Sequence, residues 1–323
     1  MTTVTVVIPA YNEGLAFAGA LAAIADEIAS YKAAPYDFRY LIVDDGSTDE
    51  TYELACRFAR WRNGVRVLRH EKNRGLGGAL RTAFAEIDTE LAVVLDADLS
   101  YSTATALSLI EHLEREGADI ALASAYAHGG AVRNVPWIRR ILSREANRIL
   151  SLATGGRYAT ITCMVRAYRT DVLRRLPFRS DTMDAVAEQL LSAMRAGMRV
   201  VEVPATLEWT PERRQDTGRL RASTVARRIG MTLSMGLRHR PALWLAMPGL
   251  FPGLLPIVVA IALALRVNTK TLAIVTAVTV AIQYGSLALF GGQLTAFFAR
   301  KFTQRHHRNG APIHGYKLPS RSA

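Results

Sequence analysis

The sequence predicts an α/β fold in which the first 210 residues form a doubly wound, mostly parallel sheet with helices on both faces. Short β-branched or apolar runs alternate with longer segments whose apolar residues recur at helical spacing, as in successive βα units. Polar residues directly follow several of these runs. In parallel sheets, ligands bind beyond the carboxyl ends of the strands, so this edge is the expected functional face.

The predicted strands are short runs that stop at turn-forming or polar residues. Val4–Ile8 is β-branched and stops at Pro9, and Tyr40–Val43 stops at two aspartates. The domain is predicted to end after Val200–Pro204. The other predicted strands are Val65–Arg69, Leu91–Leu95 and Ile120–Ala123.

The predicted helices lie between these strands. The first places Leu21, Ile24 and Ile28 on one stripe, which is the spacing of a buried helical face. Ser47 or Thr48 is expected to cap the second helix. The four helices are predicted at Glu13–Tyr31, Asp49–Trp61, Gly75–Ile87 and Ala104–Arg115.

Two long stretches without charge follow the predicted domain. Ala242–Leu265 and Thr271–Ala299 both exceed the roughly 20 apolar residues that cross a bilayer. They are therefore predicted to form a two-helix transmembrane hairpin over residues 242–299, the alternative being a pair of buried core helices. Three prolines in the first stretch favour a kink or an interfacial entry.

The net charge of +12 is concentrated beside these stretches. Residues 211–241 are rich in arginine and are predicted to form a basic amphipathic interface region, and residues 300–323 a basic cytosolic tail. The positive-inside rule then predicts a multi-pass protein of the inner (plasma) membrane with a cytosolic catalytic domain. Because the basic clusters border the spans, membrane lipids are the expected partner, and nucleic acid is not.

The two cysteines and the amino terminus agree with a cytosolic domain. Cys56 and Cys163 have no CxxC spacing, so neither a disulfide framework nor a thiolate metal site is expected. The first residues lack the charged and apolar regions of a signal peptide and are predicted to start the fold.

Two aspartates separated by one alanine follow the fourth predicted strand. Asp96 and Asp98 would repel each other if they were close and buried. A hard divalent cation, Mg²⁺ or Mn²⁺, takes oxygen ligands and would offset that repulsion. A solvated loop is the alternative, since an isolated pair of this kind is common.

The second strand also ends at acids, Asp44 and Asp45. Carboxylates there can accept hydrogen bonds from a nucleoside base or from ribose hydroxyls, and Glu13 after the first strand can do the same. The alternative is a helix N-terminus favoured by acidic residues. The glycines of NRGLGGALR, residues 73–81, indicate either a flexible backbone at a helix start or simple turns.

The segments IPAYNE, VDDGSTD, NRGLGGALR and DAD occur in the order and spacing of family-2 glycosyltransferases, so the chain resembles that family over about its first 210 residues. Later segments, from residue 117 to residue 209, are similar to the branch that glycosylates polyprenyl phosphate, which includes dolichol-phosphate mannose synthases and undecaprenyl-phosphate glucosyltransferases. The resemblance implies a GT-A fold followed by an amphipathic helix and a transmembrane hairpin.

The resemblance also implies roles for individual residues. Asp96 and Ala97 would lie near ribose and sugar, and Asp98 would bind Mg²⁺ or Mn²⁺, with Ser100 as a weaker ligand where relatives have glutamine. Arg139 or Arg140 would hold a phosphate of donor or acceptor. The residues implied to hold the nucleoside of the nucleotide-sugar donor are Pro9, Tyr11, Glu13, Asp44 and Asp45.

The chain departs from the family pattern at two further places. Ala125 replaces an arginine that binds phosphate in relatives, for which Arg133 or Arg139 is a candidate substitute. Thr160 stands where relatives have an acid. Arg214 and Arg219 match a downstream basic pattern only loosely.

The predicted function is inverting transfer of a hexose from a nucleotide-sugar donor to a polyprenyl phosphate acceptor at the cytosolic membrane face. An acceptor hydroxyl is the first alternative and would need a general base, for which Asp181, Asp184 and Glu188 are candidates. A catalytically inactive membrane scaffold is the second alternative. Whether the hairpins associate into a homo-oligomer is left open by the sequence.

Overall fold

The structure is a computed structural model that describes residues 1–31, 36–153 and 157–209, and residues 268–284 except 269, 275, 282 and 283. Residues 1–236 and 237–323 form two separate compact units. In the second unit, residues 270–274 and 276–281 are helical. The predicted interface region, most of the predicted hairpin and the basic tail lie outside the described residues. Within those ranges, no helix is both long and apolar enough to cross a membrane.

A seven-stranded sheet, in the order β3-β2-β1-β4-β7-β5-β8, organises the first unit. All neighbouring strands are parallel except β7, which runs antiparallel to β4 and β5. A second sheet pairs β6 with β9. The strands are β1 (Thr2–Ala10), β2 (Tyr36–Asp44), β3 (Val65–Arg69), β4 (Leu91–Val94), β5 (Ile120–Ser124), β6 (Ala131–Arg133), β7 (Arg166–Arg169), β8 (Val200–Pro204) and β9 (Thr206–Glu208).

Helices cover both faces of the sheet. Val6 and Ile8 of β1 pack in one core with residues of α1, α2 and α4, whereas Val7 packs in a second core with residues of α3 and α7. This alternation is what a strand buried on both faces requires. The helices are α1 (Ala16–Ser30), α2 (Thr51–Trp61), α3 (Leu76–Ala85), α4 (Thr103–Arg115), α5 (Trp137–Ala153), α6 (Thr170–Leu173) and α7 (Asp184–Arg195).

The predicted mostly parallel α/β sheet is confirmed. β2 begins earlier than predicted, at Tyr36, because its first residues are only partly buried and break the apolar run. α1 begins later, at Ala16, because the residues after β1 form a loop rather than a helical turn.

The antiparallel strand β7 brings a distant segment to the functional edge. Arg166, the first residue of β7, pairs with Val94, the last residue of β4. The residues immediately before Arg166 therefore lie at the same end of the sheet as the residues that follow β4. This places Cys163, rather than the more distant Thr160, within electrostatic range of Asp96.

Candidate active site

The carboxyl ends of four neighbouring strands, β3, β2, β1 and β4, bring the predicted polar clusters to one edge. Adjacent strands lie about 4.8 Å apart, so clusters that are distant in sequence become neighbours. Loops tie the first two clusters together: the Thr48 backbone N donates to Asn12 Oδ1 at 2.9 Å, and the Asn12 N donates to Ser47 Oγ at 3.0 Å.

The expected cap of α2 is wrong, and these contacts give the reason. Ser47 and Thr48 bond across to the loop after β1, and α2 begins only at Thr51, without a side-chain cap from Glu50. Asp49 accepts from the Thr51 N at 3.0 Å and from the Gly14 N at 2.9 Å. The segment therefore fixes the shape of the loop after β1.

The turn after β4 gathers three oxygen-bearing side chains. Ser100 donates from its backbone N at 2.9 Å and from its hydroxyl at 2.6 Å to Asp98 Oδ1. The same hydroxyl lies 3.5 Å from Asp96 Oδ2. Leu99 has a φ of 52°, so the chain reverses sharply between Asp98 and Ser100. Asp96, Asp98 and Ser100 thus converge, as the sequence predicts.

This donor set fits a hard divalent cation. Two carboxylates and a hydroxyl supply only oxygen, which Mg²⁺ and Mn²⁺ prefer. In the ranges that the structure describes, no group of three or more His, Cys, Asp or Glu side chains is placed to hold a metal. An ion held by these two carboxylates and one hydroxyl would take waters and substrate oxygens as its other ligands.

Ala97, between the two aspartates, points away from this cluster. Its side chain is buried and packs in the core formed with α1, α2 and α4. Any approach of this residue to a donor sugar would therefore be through its backbone.

Asp44 is completely buried at the end of β2 and lies beside a cation. Arg69 Nε is 3.2 Å from Asp44 Oδ2, although the geometry is that of an ion pair rather than an aligned hydrogen bond. Arg69 also donates to the Ser47 carbonyl at 3.1 Å and lies over the Tyr52 ring at 4.3 Å. The guanidinium offsets the cost of burying the carboxylate. Arg69 is the last residue of β3, and its position at a strand end is the signal that sequence reasoning missed.

Asp45 uses both carboxylate oxygens within the protein. Oδ1 is 2.7 Å from His70 Nδ1 and accepts from the Arg74 N at 2.9 Å, and Oδ2 accepts from the Gly75 N at 2.7 Å. His70 Nε2 is 2.8 Å from Thr82 Oγ1 on α3. Asp45 therefore shapes the loop of residues 70–75; its predicted contact with a nucleoside stays a prediction.

Two pockets lie on either side of this loop. One, of about 450 Å³, is lined by residues after β2 and β3: Gly46, Ser47, Thr48, Arg69, His70 and Glu71. The other, of about 760 Å³, lies between the start of α3 and the segment before α7, and its walls carry Lys72, Arg74, Arg81, Arg179 and Asp181. Tyr11 is 44% exposed at the same edge of the sheet, and Pro9 is buried next to the last residue of β1.

A second sheet connects the Asp98 turn to α5. The Glu208 backbone N of β9 donates to the Ser100 carbonyl at 2.9 Å. The next residue, Trp209, lies under the guanidinium of Arg139 at 4.9 Å. Arg139 is therefore linked to the turn through Trp209 and the neighbouring Glu208. Arg140, on the same helix, is exposed. Sequence reasoning missed Glu208 because β9 has only three residues.

Two of the three candidate bases near α7, Glu188 and Asp181, already have partners. Glu188 Oε2 accepts from the Arg179 N at 3.1 Å and from the Ser180 N at 2.9 Å, and Asp181 forms an ion pair with Arg81. These acids hold the segment before α7 in place. Asp184 lies in the first turn of that helix.

The departures at Ala125 and Thr160 lie in a region with several hydrogen bonds. Ala125 is buried, and Ser124 Oγ is 2.7 Å from Thr160 Oγ1. Glu202 Oε1 accepts from the Thr160 N at 2.8 Å, so a carboxylate reaches this segment from β8 instead of from residue 160.

The profile of Glycosyl transferase family 2 matches residues 5–176, which is more than half of the 323 residues. The chain belongs to glycosyl transferase family 2. The match ends at residue 176, just after α6, so it includes all four strand ends of the candidate site.

Two relatives extend this similarity. The polyprenol monophosphomannose synthase of Mycolicibacterium smegmatis is 32% identical to this chain. The alignment covers 73% of this chain and 87% of that protein. The undecaprenyl-phosphate mannosyltransferase of Micrococcus luteus is 30% identical over 63% of this chain and 82% of its own.

A solved structure shares the fold of this family 2 chain. Glucosyl-3-phosphoglycerate synthase of Mycobacterium tuberculosis, in complex with Mn²⁺, UDP-glucose and phosphoglyceric acid, aligns with a TM-score of 0.56 and 18% identity. The alignment covers 74% of this chain and 79% of that one. The predicted GT-A-like sheet is thereby confirmed.

Proposed function

We propose that this family 2 glycosyltransferase moves a hexose, with inversion, from a nucleotide diphosphate sugar to a polyprenyl phosphate at the cytosolic face of the inner membrane. The turn where Asp96, Asp98 and Ser100 converge carries the proposal, because it suits the metal and the diphosphate of such a donor. The names of the Mycolicibacterium and Micrococcus relatives support the acceptor class.

Asp98 and Ser100 would hold the divalent cation, Mg²⁺ or Mn²⁺. When bound, it supplies positive charge against the diphosphate leaving group. The Mn²⁺ in the Mycobacterium tuberculosis complex supports this choice. Asp96, on the same turn, would accept hydrogen bonds from the hydroxyls of the donor.

The nucleoside would lie over the ends of β1 and β2. Pro9, Tyr11, Glu13 and Asp44 lie around that edge, and the 450 Å³ pocket beside Arg69 offers room for a base. Asp45 contributes by fixing the loop of residues 70–75.

The hydrogen bonds and the ion pair of Glu188 and Asp181 favour a phosphate acceptor. Such an acceptor is already ionised at neutral pH and needs no strong general base, whereas a hydroxyl does. Glu188 and Asp181 are engaged with the segment before α7, which favours the phosphate. Direct attack of that oxygen on the anomeric carbon expels the nucleoside diphosphate and inverts the centre. Arg139, which is linked to the turn through Trp209 and β9, would hold one phosphate.

An exposed face of α5 supports a membrane location. Trp137 is 69% exposed, and Ile138 and Ile141 on the same helix are exposed as well. Arg140 lies between Ile138 and Ile141 in the helix, and Arg144 follows Ile141. Exposed apolar side chains beside arginines are typical of helices that lie in a membrane interface with anionic lipids.

A transfer assay with the full chain in membranes tests the proposal. Radiolabelled nucleotide sugars would be supplied singly, each with undecaprenyl phosphate and Mn²⁺, and lipid products extracted. We expect one donor to give a lipid product that mild acid hydrolyses, since a sugar phosphate linkage is acid-labile. A glycolipid stable to both acid and alkali would contradict the phosphate acceptor and favour a hydroxyl. Absence of product with every donor would favour the inactive scaffold.

A further inference from the structure

The 760 Å³ pocket between α3 and the segment before α7 is strongly basic. Lys72, Arg74, Arg81 and Arg179 line it, against a single acid, Asp181. Arg81 pairs with that acid and also lies over the Phe178 ring at 5.5 Å. The remaining cations, Lys72, Arg74 and Arg179, therefore give the pocket a net positive charge.

The wall on the α7 side is fixed by close backbone packing. Arg81 Nη1 donates to the Ser180 carbonyl at 2.8 Å, and the Gly77 N donates to the Asp181 carbonyl at 2.8 Å. A Cβ at Gly77 would lie 2.0 Å from the Ser180 carbonyl oxygen, so only glycine permits this approach. The Glu188 carboxylate accepts hydrogen bonds from the backbone N of Arg179 and of Ser180.

The opposite wall is fixed by Asp45. Its carboxylate accepts from the backbone N of Arg74 and of Gly75, so the start of the Arg74 side chain is anchored at the end of β2. Both segments that carry these cations are held in place by hydrogen bonds. An anion can therefore bind without ordering a loop, which lowers the entropic cost of binding.

We propose that this pocket, formed by Lys72, Arg74 and Arg179 with the Arg81–Asp181 pair as its wall, binds a phosphate ester group. Guanidinium groups bind phosphate through paired charge-assisted hydrogen bonds, and lysine adds a point charge. The site is separate from Arg139 and Arg140 on α5. The identity of the phosphate rests on the proposed function: it belongs to the donor diphosphate or to the polyprenyl phosphate.

Binding measurements on the full chain in nanodiscs test the pocket. Inorganic pyrophosphate stands for the donor and farnesyl phosphate for the acceptor, and both are titrated with EDTA present so that the Asp98 turn contributes no metal. The variants are Lys72→Gln and Arg179→Gln, whose side chains are exposed. Arg175→Gln is the matched control, because Arg175 is exposed and pairs with Asp171 outside the pocket.

We expect each pocket variant to weaken one probe roughly 10- to 100-fold, the value of one hydrogen bond between charged groups, and the control to leave it unchanged. Loss confined to pyrophosphate assigns the pocket to the donor, and loss confined to farnesyl phosphate assigns it to the acceptor. Unchanged affinity for both probes, or an equal loss in Arg175→Gln, overturns the proposal. Because no transfer is measured, the result is independent of whether the proposed activity is found.

Discussion

Ser100 donates two hydrogen bonds to one oxygen of Asp98, from its backbone N at 2.9 Å and from its hydroxyl at 2.6 Å. Ser100 is only 3% exposed, so this arrangement is held inside the protein. Where related enzymes are expected to have a glutamine ligand, this chain has a residue that orients the carboxylate beside it. A metal at Asp98 would therefore meet a fixed oxygen.

Replacing Ser100 with alanine removes the hydroxyl bond and leaves the backbone bond. We expect affinity for Mn²⁺, measured by titration with a nucleoside diphosphate present, to fall roughly 10- to 100-fold, as for other groups that orient a metal ligand. Ser108→Ala on α4 is the control, because its hydroxyl bonds within that helix. Equal Mn²⁺ affinity in native protein and Ser100→Ala would show that the hydroxyl has no such role.

Two glycine-to-alanine substitutions in helices are expected to change stability in opposite directions. Gly77→Ala places a Cβ 2.0 Å from the Ser180 carbonyl, so we expect a loss of about 1–3 kcal/mol or more. Gly19→Ala meets nothing within 4 Å and should stabilise α1 by about 0.5–1 kcal/mol. Denaturant unfolding of the membrane-reconstituted protein measures both. The packing described here would be wrong if Gly77→Ala were neutral.

Much of the sheet can be predicted from the sequence, because buried parallel strands leave an apolar run that stops at a polar cluster. Strand β7 cannot be predicted in this way, since its four residues begin and end with arginine. The Arg166 guanidinium is fully buried and donates to the carbonyls of Ile161 at 2.8 Å and Val186 at 2.7 Å. Only the tertiary structure supplies those acceptors.

The candidate site is predictable to the same extent. The position of residues near strand ends, such as Asp98, at this edge could be predicted because a strand end is a local signal. The contact between Glu208 and Ser100 and the role of Asp45 in the loop after β3 join distant segments. The spacing of residues in the sequence does not indicate these contacts.

Quenching by brominated lipid tests the proposed contact of α5 with the membrane. Trp137 should contribute to the quenching of tryptophan fluorescence in nanodiscs of brominated anionic lipid, because interfacial helices bury their apolar face in the headgroup region. We expect Trp137→Phe to reduce the quenched fraction. Trp61→Phe is the control, since Trp61 is 87% exposed on α2. If α5 faced water, Trp137→Phe would not reduce the quenched fraction, and the two variants would give the same result.

The buried thiol of Cys163 predicts a dependence of stability on alkaline pH. Burial raises the pKa of this thiol from about 9 to about 11. Below pH 9 the thiol is protonated in both folded and unfolded chains and adds no pH dependence. Between about 9 and 11 it ionises only in the unfolded chain, so the free energy of unfolding should fall.

Cys163→Ala isolates this effect from other groups that titrate at alkaline pH. The difference in unfolding free energy between native protein and variant should be constant up to pH 9 and then shrink. A difference that stays constant to pH 11 would mean that the thiol is accessible to water.

The most direct measurement compares sugar transfer to undecaprenyl phosphate by native protein, Asp98→Asn and Asp88→Asn, with Mn²⁺ and with EDTA. Asp88 is an exposed aspartate paired with Arg39, so its variant controls for charge alone. We expect Asp98→Asn, and native protein in EDTA, to lose roughly 100-fold or more in turnover, as when a group that stabilises transition-state charge is removed. Asp88→Asn should keep native turnover. Full transfer by Asp98→Asn, or by native protein in EDTA, would contradict the assignment of this turn as the metal and donor site.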